Sequence, residues 1–134
     1  AFLMANLLQG VVDEGTGRRL RFRYGFKNQI GGKTGTTQNH SDGWFIGITP
    51  DLAGGVWVGA EDRSIHFQNL ANGQGASMAL PIWALFMQKV YADKSLAVPQ
   101  SDFQKPNGVN HVLDCGDADR EGMTDYDSSD EIFD

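Results

Sequence analysis

Gly32-Lys33-Thr34-Gly35-Thr36-Thr37 opens a set of three short runs, followed by Gly43-Trp44-Phe45-Ile46-Gly47-Ile48-Thr49 and Gly55-Val56-Trp57-Val58-Gly59-Ala60. Each is rich in threonine, β-branched or aromatic residues, and polar or Pro/Asp/Gly punctuation separates them. Connections this short favour antiparallel neighbours, so the runs read as a three-stranded meander. Side chains alternate across a strand, which puts Trp44, Ile46 and Ile48 on one face and Phe45 on the other. Trp57 opposes Val56 and Val58 in the same way. Both faces of the sheet are apolar, and each needs a covering layer.

Two helical patterns flank these runs. Met4, Leu7, Leu8, Val11 and Val12 recur at spacings of three and four, which predicts a helix over 2–12. Gly15-Thr16-Gly17 should stop it, because glycine accepts the left-handed conformation past a helix end. A second stripe, Met78, Ile82, Leu85, Phe86 and Val90, predicts a helix over 76–92, with Pro81 tolerable only near its first turn. This helix can cover one sheet face; the opening helix shares that side or covers the other. Between them Arg19-Leu20-Arg21-Phe22-Arg23-Tyr24 alternates basic with apolar, which suits a short strand or an irregular segment with aromatic anchors. The expected fold class is α+β: an antiparallel sheet flanked by helices.

The chain has 134 residues, of which 40% are apolar, enough for one modest core. Its one cysteine, Cys115, excludes a disulfide scaffold. The purely apolar runs are too short to cross a bilayer, and no secretory signal pattern opens the chain. Ala1 already lies inside the helical pattern, so the sequence reads as one cut from a longer chain. The formal charge of −6 averages two unlike regions. Residues 1–100 hold nine bases against seven acids, and residues 101–134 two against ten. The acidic balance belongs to a tail, expected to be disordered over 95–134, and says little about site chemistry.

The first strand carries that chemistry. Lys33 projects a cation from one face, while Thr34 and Thr36 project hydroxyls from the other. Gly35 has no side chain, so a ligand backbone can approach closely. If this strand is a sheet edge, its free N–H and C=O groups can pair with an extended peptide. Hydroxyls beside a cation suit a peptide ending in a carboxylate. A polar edge strand with a solvated lysine is the plainer reading of the same residues.

The surroundings narrow the choice. Gly32-Lys33-Thr34-Gly35-Thr36-Thr37-Gln38-Asn39, Asp42-Gly43-Trp44-Phe45-Ile46-Gly47, Gly55-Val56-Trp57-Val58-Gly59, Gly75-Ala76 and Ala79-Leu80-Pro81-Ile82-Trp83 follow one another in order. With Leu8-Gln9-Gly10-Val11-Val12 and Gly15-Thr16-Gly17 upstream, the series resembles the end of the transpeptidase domain of bifunctional class A penicillin-binding proteins, from about residue 2 to residue 94. The resemblance implies that residues 1–94 are the C-terminal portion of that domain. They would supply three strands, the last part of a five-stranded sheet with helices on both faces. It implies serine acyl transfer on D-alanyl-D-alanine stem peptides of peptidoglycan, with β-lactam antibiotics as ligands and no metal or organic cofactor. Lys33 would favour the substrate's anionic end, and Thr34 and Thr36 would hydrogen-bond its carboxylate. The Thr36 N–H would form part of an oxyanion hole, and Gly35 and Thr37 would complete the substrate-binding strand. The parent protein would be membrane-anchored and act at the periplasmic face of the inner membrane.

The family also requires Ser-x-x-Lys for the nucleophile and Ser-x-Asn for the proton relay. None of Ser41, Ser64, Ser77, Ser95, Ser101, Ser128 and Ser129 has either pattern. The chain therefore holds one wall of an active site, is not expected to act alone, and needs the remainder of its transpeptidase domain as partner. A non-catalytic peptide-binding or structural module using the same sheet edge is the alternative.

Other signals are thinner. His40-Ser41-Asp42 has the residue types of a hydrolase triad, but consecutive residues cannot assemble one, and a polar turn is expected. His66 and His111 lack ligand partners at metal-site spacing. Asp117-Ala118-Asp119-Arg120-Glu121-Gly122 imitates a calcium loop, but Ser128 stands where a bidentate Glu is required. Arg18 to Lys27 interleaves bases with Leu20, Phe22, Tyr24 and Phe26, too little beside an acidic tail to indicate nucleic-acid binding.

Overall fold

The computed structural model describes residues 1–109. Its centre is an antiparallel sheet of β1 (Gly31–Thr36), β2 (Asp42–Ile48) and β3 (Ala53–Gly59), in that order. Gly35 pairs with Trp44, and Trp44 with Trp57, so the register keeps like side chains on like faces. Around the sheet lie α1 (Phe2–Asp13), α2 (Arg19–Phe22), α3 (Leu70–Gly73) and α4 (Gly75–Ala92). The α+β class and the meander agree with the sequence pattern.

The helix α4 covers the face that carries Phe45, Val56 and Val58. Trp83 packs edge-on to Phe45 with ring centroids 5.4 Å apart, and Phe26 closes over it at 6.1 Å. Strand glycines make room for this layer. A Cβ at Gly47 would collide with the Trp83 ring, and one at Gly43 with Met78. Val12, Leu20, Ile30, Leu80 and Ala84 complete the core.

The buried side of α4 differs from the predicted stripe. Ala76, Ala79, Leu80, Trp83, Met87 and Val90 face inward, whereas Ile82, Leu85 and Phe86 are exposed. The helix is apolar on more than one side, so periodicity alone could not choose; the glycine-lined sheet selects the side bearing Trp83. Pro81 is the seventh residue of the helix, beyond the first turn where it was expected. In α1, likewise, Val12 is buried while Met4 and Leu7 are exposed. The helix lies at the β1 edge on the sheet's other face, where a Cβ on Gly31 would stand 3.0 Å from Leu8 Cβ and 3.1 Å from Ile48 Cγ1.

Gly15 and Gly17 end α1 for a reason other than left-handed geometry, since neither has positive φ. A Cβ on Gly15 would lie 2.9 Å from Val11 Cα, and one on Gly17 3.1 Å from Val11 O. Close approach of the turn to the helix is what requires glycine there. The alternating segment that follows is the short helix α2, not a strand, and Gly25 reverses the chain after it at φ 71°.

The second sheet face stays largely open among the described residues. Trp44, Ile46 and Trp57 are 45%, 50% and 46% exposed, because α1 reaches only the Gly31/Ile48 end. The expected tail divides. Residues 95–109 form no helix or strand, yet Leu96 and Val98 line an apolar groove with Trp83, Phe86 and Met87. The Phe103 N–H donates to Gln29 Oε1 at 2.8 Å. Residues 110–134, with His111, Cys115 and the run from Asp117, lie outside the described residues.

Candidate functional site

Glycine and threonine build the edge strand β1, whose neighbour on one side is β2; no strand pairs with its other side among the described residues, and α1 packs there at the Gly31 end. The Thr37 N–H donates to Asp42 O at 3.1 Å, so that pair is hydrogen-bonded across the ladder. Alternation along an antiparallel strand then turns the backbone of Lys33 and Gly35 toward β2 and that of Thr34 and Thr36 toward the free edge. The Lys33 ammonium follows the same edge and donates to Thr34 O at 2.7 Å. The Thr36 N–H, a Thr34 carbonyl and a cation thus share one open border.

The two threonine hydroxyls sit on the α4 side of the strand. Thr34 Oγ1 lies 2.8 Å from Thr16 Oγ1, and Thr36 Oγ1 accepts from the Gly75 N–H, at the start of α4, at 3.0 Å. That last bond depends on a close crossing, because a Cβ on Gly75 would collide with the carbonyls of Gly35 and Trp44. Arg19 ties the same corner together: its Nη1 donates to Ala76 O and Ser77 Oγ, each at 3.0 Å. Gly35 leaves the middle of the strand bare.

Thr37 stands apart from its neighbours. Its hydroxyl accepts from the Asp42 N–H at 3.0 Å and lies 3.1 Å from both Ser41 Oγ and Asp42 Oδ2. Asp42, only 8% exposed, also receives Ser41 Oγ at 3.1 Å and the Trp57 indole N–H at 3.1 Å. This buried carboxylate accepts from three donors, Thr37 Oγ1, Ser41 Oγ and Trp57 Nε1, in a clasp that closes the β1–β2 turn and satisfies a polar group taken out of water. The turn itself carries Asn39 and His40 at φ 58° and 56°, two successive residues in a sparsely populated conformation. His40-Ser41-Asp42 is therefore a turn and not a triad. His66 is exposed, its Nδ1 3.1 Å from Phe67 O.

Lys33, Thr34, Gly35 and Thr36 come together at one edge, as their spacing requires. Two contributors were not legible as such: Thr16, read only as part of a helix stop, and the Gly75 N–H. Both lie far from β1 in sequence, and only the crossing of the α1–α2 turn and α4 at β1 brings them in. Among the described residues no three His, Cys, Asp or Glu side chains cluster as a metal site, and no helix is long and apolar enough to cross a membrane.

No family model matches the chain. Individual proteins do. Penicillin-binding protein 1A of Pseudomonas aeruginosa is 36% identical over 111 residues, covering 81% of this chain and 12% of that protein. The Aquifex aeolicus protein of the same name is 36% identical over 101 residues, 75% of this chain and 12% of its own. The crystal structure of penicillin-binding protein 1A from Haemophilus influenzae superimposes with a TM-score of 0.63 at 26% identity, over 77% of this chain and 15% of that one. The chain thus spans about an eighth of the length of the curated relatives it matches. Sequence and architecture point to the same relatives, and on that basis the chain belongs to the penicillin-binding protein 1A family.

Proposed function

We propose that this chain supplies the substrate-binding wall of a peptidoglycan D,D-transpeptidase, as the C-terminal portion (1–94) of its penicillin-binding domain. The observation that carries the reading is the β1 edge: Thr34 and Thr36 backbone groups turned outward, Lys33 on the same border, and two hydroxyls beside them. An extended stem peptide can pair with those backbone groups as an added strand. Its terminal carboxylate meets Lys33 and the hydroxyls of Thr34 and Thr36, and the bare Gly35 lets its backbone come close. The Thr36 N–H stands ready as one oxyanion donor for the tetrahedral intermediate, where such a donor contributes about 3–4 kcal/mol. Thr37 serves the same strand by closing its end.

Acyl transfer needs a nucleophilic serine with a lysine three residues on, and no serine of this chain has one. The nucleophile therefore comes from the remainder of the transpeptidase domain, which contributes the other wall and the other two strands of a five-stranded sheet. A β-lactam would enter by the same carboxylate contacts. In this reading the parent protein is membrane-anchored and works at the periplasmic face of the inner membrane.

Labelling with a fluorescent penicillin tests the proposal. The 134-residue chain alone should form no covalent adduct. The polypeptide read in frame with it should carry Ser-x-x-Lys and Ser-x-Asn and become labelled, and Lys33→Ala should slow that labelling. An adduct on the chain alone overturns the assignment of the nucleophile to another segment. Absence of both serine motifs from the reading frame overturns the transpeptidase reading in favour of a non-catalytic peptide-binding module.

A further inference from the structure

Thr16 and Thr34 are eighteen residues apart, yet their hydroxyl oxygens are 2.8 Å from one another. The turn that presents Thr16 is rigidly held. Gly15 N–H donates to Gly10 O, Gly17 N–H to Val11 O, Arg18 N–H to Gly15 O and Leu20 N–H to Gly17 O. Gly15 and Gly17 press against the backbone of Val11 on either side of it. Arg19 anchors the far end of the turn to the first residues of α4. The Thr16 hydroxyl is thereby delivered to one place beside β1.

A threonine hydroxyl has one proton and two lone pairs. If Thr34 gave its proton to Thr16, none would remain for an anion at the edge. If Thr16 gives its proton to Thr34, the Thr34 proton is free to point outward. At Thr36 the same arrangement is already set by a group that can only donate, the Gly75 N–H. We infer that Thr16 is a positioning residue: it donates to Thr34 Oγ1, locks the Thr34 rotamer and leaves the Thr34 hydroxyl as a donor to a ligand carboxylate. The inference deepens the proposed function and rests on it for the identity of that ligand. A carboxylate at the edge selects one direction for the chain of donors, Thr16 to Thr34 to ligand, and each bond polarises the next.

The test uses the full 134-residue chain with ¹³C-labelled threonine methyl groups. Three-bond couplings report the Thr34 rotamer, and N-acetyl-D-alanyl-D-alanine at millimolar concentration is the probe, with its C-terminal amide as control. A single Thr34 rotamer is expected in the unmodified protein and in Thr16→Ser, and an averaged one in Thr16→Val. The peptide acid should bind Thr16→Val about fivefold more weakly, the contribution of one neutral hydrogen bond. Thr16→Ser should restore binding, the amide should show no such dependence, and every variant should still unfold cooperatively. Thr16→Val in a Thr34→Val background should cause no further loss. A Thr34 rotamer that is averaged in the unmodified protein, or unchanged in Thr16→Val, overturns the role of Thr16. A fixed rotamer that depends on Thr16, with no shift on adding the peptide acid, upholds the positioning and overturns the carboxylate reading of the strand.

Discussion

Replacing Gly75 by alanine should destabilise this protein, although alanine is the better helix former. The new Cβ would land on the carbonyl oxygens of Gly35 and Trp44, which face each other as a paired position of the sheet and cannot rotate away. To reach an ordinary carbon–oxygen contact, α4 must withdraw by about an ångström. Withdrawal stretches the 3.0 Å bond from Gly75 N–H to Thr36 Oγ1 beyond bonding distance and lifts Met78 and Trp83 from the glycines beneath them. Overpacking of this kind costs about 1–3 kcal/mol, and the lost hydrogen bond about 1 kcal/mol. The helix-propensity gain is at most about 1 kcal/mol in a helix interior and less at a first residue. A net loss of about 1–3 kcal/mol follows, a shift of roughly 1 M in the urea midpoint for a chain of this size. Gly10→Ala is the matched control: it lies exposed inside α1, nothing stands within 4 Å of its Cβ position, and it should gain about 0.5–1 kcal/mol. Urea unfolding followed by tryptophan fluorescence measures both. A Gly75→Ala midpoint equal to or above that of the unmodified protein would refute the close-crossing argument.

The clasp at Asp42 gives a second contrast. Asp42→Ala leaves the Trp57 indole N–H and the hydroxyls of Thr37 and Ser41 without their acceptor and should cost about 1–3 kcal/mol. Asp42→Asn keeps one carbonyl oxygen and should cost less; equal losses in urea would refute the bonding pattern. Burial pushes the Tyr91 phenol above the usual value near 10, against the opposing bond donated by Asn28 Nδ2 at 3.0 Å. With the folded value raised, the contribution to stability is complete below pH 10 and declines as pH rises past the unfolded value toward the folded one. Absorbance titration at alkaline pH should include a late-titrating phenol that Tyr91→Phe removes. The open face bearing Trp44, Ile46 and Trp57 should drive self-association of the isolated chain. Sedimentation velocity over a hundredfold concentration range checks this, and a monomer throughout would refute it.

Strand placement was legible because local rules decide it. Alternation in Trp44 to Ile48 and the short polar connections leave few other choices, and the observed strands end within two residues of the expected limits. The two long helices were equally plain, whereas the one-turn helices α2 and α3 were not, and neither was the orientation of the long ones. Ile82, Leu85 and Phe86 fit a stripe as well as Ala79, Trp83 and Met87 do, and burial follows the second set. Hydrophobicity measures what a side chain gains on leaving water; it does not say which of two apolar sides finds a matching surface.

Sequence alone determined the meander, the α+β class, the strand with its lysine and threonines, and the lack of a serine nucleophile pattern in this chain. These depend on alternation over neighbouring residues and on residue identity, which need no knowledge of distant contacts. Tertiary structure alone decided that Gly15 and Gly17 serve close approach, that Trp83 lies in a glycine-lined bed, and that Thr16 and Gly75 are hydrogen-bonded to Thr34 and Thr36. Each of these joins residues well separated along the chain, and a hydrogen bond acts only over about 3 Å. Its partners are therefore chosen by the way helices and turns cross the strand, not by anything written beside them.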